Sequence, residues 1–185
     1  MKKISLFLSA LLISAISMAA TVTMDFTSAA GLEAIGIPYP TKAENDGAYS
    51  SNLVIGQAYT QSGVALTVTK KGSTDTRIWL AAKGTMDLRH YKGGVLTFSA
   101  PAGSVITKIV FAGGSITGLE NLNNKTWEGT APSVDIPAAA GASTIKINTI
   151  TITYEASGTD IVATPIIRGE NDFRKTSEIS IEAAA

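Results

Sequence analysis

The sequence predicts an all-β fold: an antiparallel β-sandwich or jelly roll with one short helix near the N-terminus, followed by an incomplete second β-module. Three observations carry this expectation. Apolar residues recur with a period of two in almost every ordered segment. Turn signals rich in glycine and proline separate those segments at short intervals. Helical patterns do not alternate with the strands, so a doubly wound parallel sheet is excluded in favour of a sandwich.

The chain opens with Lys2 and Lys3, then an apolar run from Ile4 to Met18 that ends in small residues. This is the pattern of an export signal, with cleavage expected after Ala19 and Ser17 and Ala19 in the small-residue pockets of the peptidase. The run is short for a membrane span of about 20 residues. Removing Lys2 and Lys3 leaves 13 basic against 15 acidic residues. With no basic block, neither nucleic acid nor an anionic membrane surface is an expected partner. There is no cysteine, so disulfides and thiolate metal sites are excluded and an ordinary apolar core must hold the fold.

The elements follow in order. Val22, Met24 and Phe26 alternate with Thr21, Thr23 and Asp25, giving a first half-buried strand. One helix is expected over Ser28 to Ile35, with Ser28 as its N-cap and Gly36 as its terminator. Val64, Leu66 and Val68 set a strand, as do Ile78 with Leu80, Leu96 with Phe98, and Val134 with Ile136 around Asp135. Val105, Ile109 and Phe111 are placed on one face with Thr107. Thr144 to Tyr154 reads as one long strand whose phase slips at Asn148-Thr149. A β-bulge there would keep Ile145 and Ile147 in one phase, and Ile150, Ile152 and Tyr154 in the other, all on the core side. Turns are marked at Lys71-Gly72-Ser73, Lys92-Gly93-Gly94, Pro101-Ala102-Gly103 and Gly113-Gly114.

A polar stretch after Glu155 suggests a boundary. The expected organisation is a signal peptide over 1–19, a sandwich over 20–155, a linker over 156–162 and a partial β-domain over 163–185. The last 25 residues are too few to bury a core of their own.

Two resemblances refine this. Met86-Asp87-Leu88-Arg89-His90-Tyr91, Leu96 to Gly103, Ile106 to Phe111, Trp127-Glu128-Gly129 and Ile147 to Tyr154 together resemble a recurrent jelly-roll module. Such modules are similar to galactose-binding-like domains and occur in large secreted proteins of Gram-negative bacteria. The resemblance covers about residues 21 to 154 and implies no assigned chemistry. Ala163-Thr164-Pro165-Ile166-Ile167, Asp172-Phe173 and Ser177 to Ala183 resemble the start of a chitobiase/β-hexosaminidase C-terminal-type domain, an immunoglobulin-like accessory sandwich. That resemblance carries over no catalytic residue.

Candidate ligand residues are few. Arg77 and Trp79 lie opposite the Ile78/Leu80 face, so they point outward if that face is the core. An exposed indole is a platform for a sugar ring, and arginine donates a fork of hydrogen bonds to hydroxyls. Arg89 and Tyr91 are expected with His90 in a loop or strand end at one rim, where binding residues collect, and Arg89 is also a candidate ion pair with Asp87. Trp127 follows the polar loop Asn121 to Lys125 and either stacks a ligand or closes one end of the core. Glu44 and Asp46 are weak candidates for a structural calcium ion, and no other cofactor is expected.

His90 is the single histidine, so no two-histidine metal site can form, and no nucleophile elbow precedes it. The acidic residues scatter over loops without the paired spacing of a glycosidase. The leading expectation is therefore a non-catalytic exported module, extracellular, periplasmic or at the cell surface. It would bind glycan or serve as an interaction or spacer domain toward another surface protein. A structural adhesin or filament-type subunit assembling by β-strand addition is the alternative, and a small glycan-active hydrolase ranks third.

Overall fold

In the computed structural model, residues 19–157 are described, and thirteen strands and one α-helix follow one another along them. The order is β1 (Ala20–Asp25), α1 (Ala29–Ile35), β2 (Lys42–Ala43), β3 (Tyr49–Asn52), β4 (Ala58–Gln61), β5 (Val64–Lys70), β6 (Arg77–Leu80) and β7 (Met86–His90). There follow β8 (Val95–Ser99), β9 (Ser104–Ala112), β10 (Thr126–Ala131), β11 (Ser133–Pro137), β12 (Ile145–Ile147) and β13 (Thr149–Ala156). The expected export signal up to residue 18, the expected linker from residue 158 on and the expected partial C-terminal β-domain lie outside the described residues. Among the described residues no helix is long and apolar enough to cross a membrane.

The strands form three sheets, ordered β1-β13-β9-β10, β11-β8-β5-β4 and β12-β7-β6-β3-β2. Every strand ladder is antiparallel. The expected all-β sandwich with one short helix is the observed class. Its period-two residues fill the core: Val22, Met24 and Phe26, then Val64, Leu66 and Val68, then Leu96, Phe98, Val134 and Ile136 are all buried. Phe98 of the second sheet meets Phe111 of the first edge to face, with ring centroids 5.9 Å apart, a preferred aromatic geometry.

The helix forms where its end signals place it. Ser28 Oγ accepts from the Gly31 amide at 3.0 Å, and Gly36 terminates the helix in the left-handed region. Leu32 and Ile35 bury one side. Gly31 lets the helix approach β1: a Cβ there would come within 2.3 Å of the Asp25 carbonyl oxygen. Burial pushes the Asp25 carboxyl up, but hydrogen bonds from Ser28 and from the side chain and amide of Thr27 outweigh it and hold it below the usual range.

Two expectations need correction. The segment 144–154 is not one bulged strand. Ile145 and Ile147 belong to β12 in the third sheet, whereas Ile150 and Ile152 belong to β13 in the first. The chain changes sheets at Asn148, whose amide donates to Ala112 and whose carbonyl accepts from Phe26. All four isoleucines are buried and Tyr154 is half-buried against the core, so both phases face inward, and a change of sheet takes the place of the bulge.

The irregularity lies instead opposite β9. Pairing shifts from Thr153↔Lys108 to Tyr154↔Ile106, leaving Thr107 as the extra residue. Ile106, Ile109 and Phe111 are therefore buried while Val105 and Thr107 are only half-buried, against the expected face of Val105 and Thr107.

Candidate functional site

Four of the five candidate ligand residues, Arg77, Trp79, Arg89 and Tyr91, meet on the outer face of the third sheet. The register explains how. Arg77 lies directly opposite Arg89, and Trp79 directly opposite Asp87, across the β6–β7 pair. Ile78 and Leu88 occupy the alternate positions and are fully buried, so the other set must face outward.

Two arginines directly opposite would repel. Each instead leans diagonally onto an aromatic ring of the other strand's sequence. The Arg89 guanidinium sits 4.2 Å from the Trp79 ring centroid, and that of Arg77 sits 5.7 Å from the Tyr91 centroid. Each also has a carboxylate: Asp87 at 3.1 Å from Arg89, and Glu44 at 3.5 Å from Arg77.

These side chains are engaged with one another. Arg77 and Arg89 are only 14% and 20% exposed, so neither offers a free fork of donors. The ion pair between Arg89 and Asp87 anticipated from sequence is present. Glu44 is held by three donors: Ser50 Oγ at 2.6 Å, Lys42 at 3.3 Å and Arg77. The Ser50 hydrogen bond is the main reason its carboxyl lies below the usual range, with Lys42 and Arg77 adding to it against the opposing effect of burial. Among the described residues no three histidine, cysteine or acidic side chains converge as metal ligands.

His90 corrects the sequence reading. It lies at a strand end, the last residue of β7 opposite Ile145, but fully buried rather than on a rim where ligands could reach it. Thr76 Oγ1 is 2.7 Å from its Nδ1, and its Nε2 has no hydrogen-bond partner. Burial pushes the imidazole down to about 4, with the neighbouring Gly94 backbone acting weakly the other way. The ring packs against Gly94 so closely that a Cβ there would meet its Cε1 at 2.6 Å.

Trp127 stands apart from the other four. It belongs to β10 in the first sheet and packs against the core. Its six-membered ring covers Gly129, where a Cβ would meet it at 2.7 Å.

One surface of Trp79 reaches a concavity. A cavity of about 330 Å³ is lined by Trp79, Asn45, Asp46, Ala48, Ala81, Ala82, Lys83 and Thr85. It lies where the β6–β7 turn faces the loop before β3. Asp46 holds a left-handed conformation, φ 59°, in that loop, which aspartate tolerates better than most residues. Lys83 and Thr85 were not expected from sequence. No local signal marks them, because the loop and the turn come together only once β3 pairs with β6.

Comparison with protein-family models, with curated proteins and with solved structures found no match to this chain.

Proposed function

We propose that this chain is an exported, non-catalytic module that binds carbohydrate in the Trp79 cavity. One observation carries the reading: an indole fixed by the Arg89 stack forms part of a concavity whose other side chains include Asn45, Asp46, Lys83 and Thr85. Sugar rings present C–H faces that can stack on an indole, and hydroxyls that pair with mixed donors and acceptors. The cavity volume falls within the about 300–1,000 Å³ of ordinary small-molecule sites. The N-terminal export pattern and the resemblance to galactose-binding-like modules support the same reading.

The test is affinity electrophoresis of the full chain in gels containing a panel of polysaccharides, comparing wild type with Asp46→Gly, which keeps the left-handed backbone, and Lys83→Ala. Both residues are exposed and lie outside the Trp79–Arg89 stack, so folding should survive. Retardation of wild type that falls at least about fivefold in the variants, the equivalent of one net hydrogen bond, is expected. No retardation in any gel would end the carbohydrate reading.

A second reading, a subunit that assembles with its own copies by strand addition, is favoured by one edge. Strand β4 ends its sheet, and beside it Val54 and Ile55 are 58% and 50% exposed. An open edge flanked by apolar side chains is a template for another strand. Size-exclusion of the mature full chain against a version ending at Glu155 tests it, and an identical monomer from both would remove it.

A further inference from the structure

We propose a second ligand site, for a neutral hydroxyl-rich molecule of saccharide type, in the loop between β9 and β10. A cavity of about 470 Å³ lies there, lined by Asn121, Asn123, Asn124, Thr126 and Glu128. It belongs to the first sheet rather than the third, and the proposal stands whether or not the Trp79 cavity binds sugar.

The loop is held rigidly. Asn123 and Thr126 exchange two backbone hydrogen bonds of 2.8 and 2.9 Å. Between them Asn124 and Lys125 both have positive φ, 46° and 65°, the geometry of a two-residue type I′ hairpin turn. The Lys125 carbonyl accepts from the Phe111 amide of β9 at 3.0 Å, which fastens the turn to the sheet. Asn121 is also left-handed, φ 62°. Three left-handed non-glycine residues within five positions cost stability, and the arrangement presents three amide side chains from a fixed frame.

Those amides are free. None of the side chains of Asn121, Asn123 and Asn124 hydrogen-bonds to another described residue. Each carries two donors and one acceptor oxygen, and amides gathered on one backbone frame match vicinal hydroxyls, which also donate and accept.

The remaining chemistry narrows the ligand class. Glu128 is the one charged group in the lining and would repel an anion. Lys108 pairs with Glu128 at 2.8 Å and is not among the lining residues. A calcium ion takes about six to eight oxygens, amide carbonyls among them, so calcium is carried as a comparison in the test below, with Glu128 as the carboxylate lining the cavity. No apolar side chain lines it to hold a hydrophobic ligand.

The test is nuclear magnetic resonance of the ¹⁵N-labelled full chain, following the asparagine side-chain NH₂ groups and the Trp79 indole Nε1–H. The probes are cellobiose, lactose, mannobiose and N,N′-diacetylchitobiose, with inorganic phosphate and calcium chloride as comparisons. The expected result is saturable movement of the Asn121, Asn123 and Asn124 amides with at least one disaccharide. The double variant Asn121→Gly, Asn124→Gly should weaken that binding at least about tenfold, as loss of charge-free hydrogen bonds predicts. Glycine accepts both left-handed positions, so its melting temperature should not fall.

Three outcomes would overturn the proposal: no movement of these amides with any disaccharide, unchanged affinity in the double variant, or movement with phosphate or calcium in place of sugar. Movement of the Trp79 indole alone would also overturn it while leaving the Trp79 cavity as the binding site. Movement of the amides alone would support it and remove the Trp79 reading.

Discussion

The outer face of β6 and β7 and the loop between β9 and β10 hold the same kinds of side chain in opposite states. On the sheet, Arg77, Arg89, Asp87 and Glu44 are engaged with one another and with two aromatic rings. In the loop, the side chains of three asparagines have no hydrogen-bond partner among the described residues. Residue type alone points to arginine and tryptophan as binders. Partnership reverses the order, because a donor already satisfied must be released before it can serve a ligand.

Acid should separate the two regions most sharply. His90 lies beneath the β6–β7 face, whereas the asparagine loop has no buried imidazole. The native imidazole titrates near 4 against 6.5 when unfolded, so the unfolded chain binds the extra proton between those values. Its contribution is complete above pH 6.5 and is lost as pH falls toward 4, a total of about 3 kcal/mol. Urea unfolding across that window should show this loss in wild type and a flattened dependence in His90→Leu. An unchanged slope would mean that His90 is not the group responsible.

Next in size is Trp79→Ala, which removes the ring beneath Arg89 and should cost about 2 kcal/mol at this half-buried position. Trp79→Phe should recover more than half of that in the same unfolding assay. A loss below about 0.5 kcal/mol would show that the stack is not part of the fold's stability.

In the loop the sign inverts. Lys125→Gly relieves a left-handed lysine and should stabilise by up to about 1 kcal/mol, read as a higher urea midpoint. A lower midpoint would show that the lysine side chain contributes more than its backbone costs. The smallest effect is expected from Asp87→Asn, below about 1 kcal/mol, because the pair with Arg89 keeps some solvent contact. A larger loss in a salt-insensitive measurement would make that pair a structural centre.

Much of the fold was legible because burial imposes a period on apolar residues. The helix from Ser28 to Gly36 was readable to within a residue, since its capping groups are local in the chain. Strands β3 and β4 were missed because Tyr49-Ser50-Ser51-Asn52 and Ala58-Tyr59-Thr60-Gln61 carry too few apolar residues to show a period. Of the outer face, the direction of Arg77 and Trp79 followed from Ile78, but the Arg89–Trp79 stack depends on cross-strand register. His90 was misread for a related reason: its basic neighbours suggest solvent, while its place in the alternation with Met86 and Leu88 puts it inside.

The pairing of β1 with β13 has a mechanical consequence. Ala20 lies opposite Tyr154, so the first and last strands of this unit run antiparallel and leave it side by side at the same end of one sheet. We expect tension applied through those two points to open the ladder like a zipper, breaking hydrogen bonds one pair after another rather than all at once. Single-molecule pulling would then record a low opening force, and a high one, comparable to that of strands loaded in shear, would rule the geometry out.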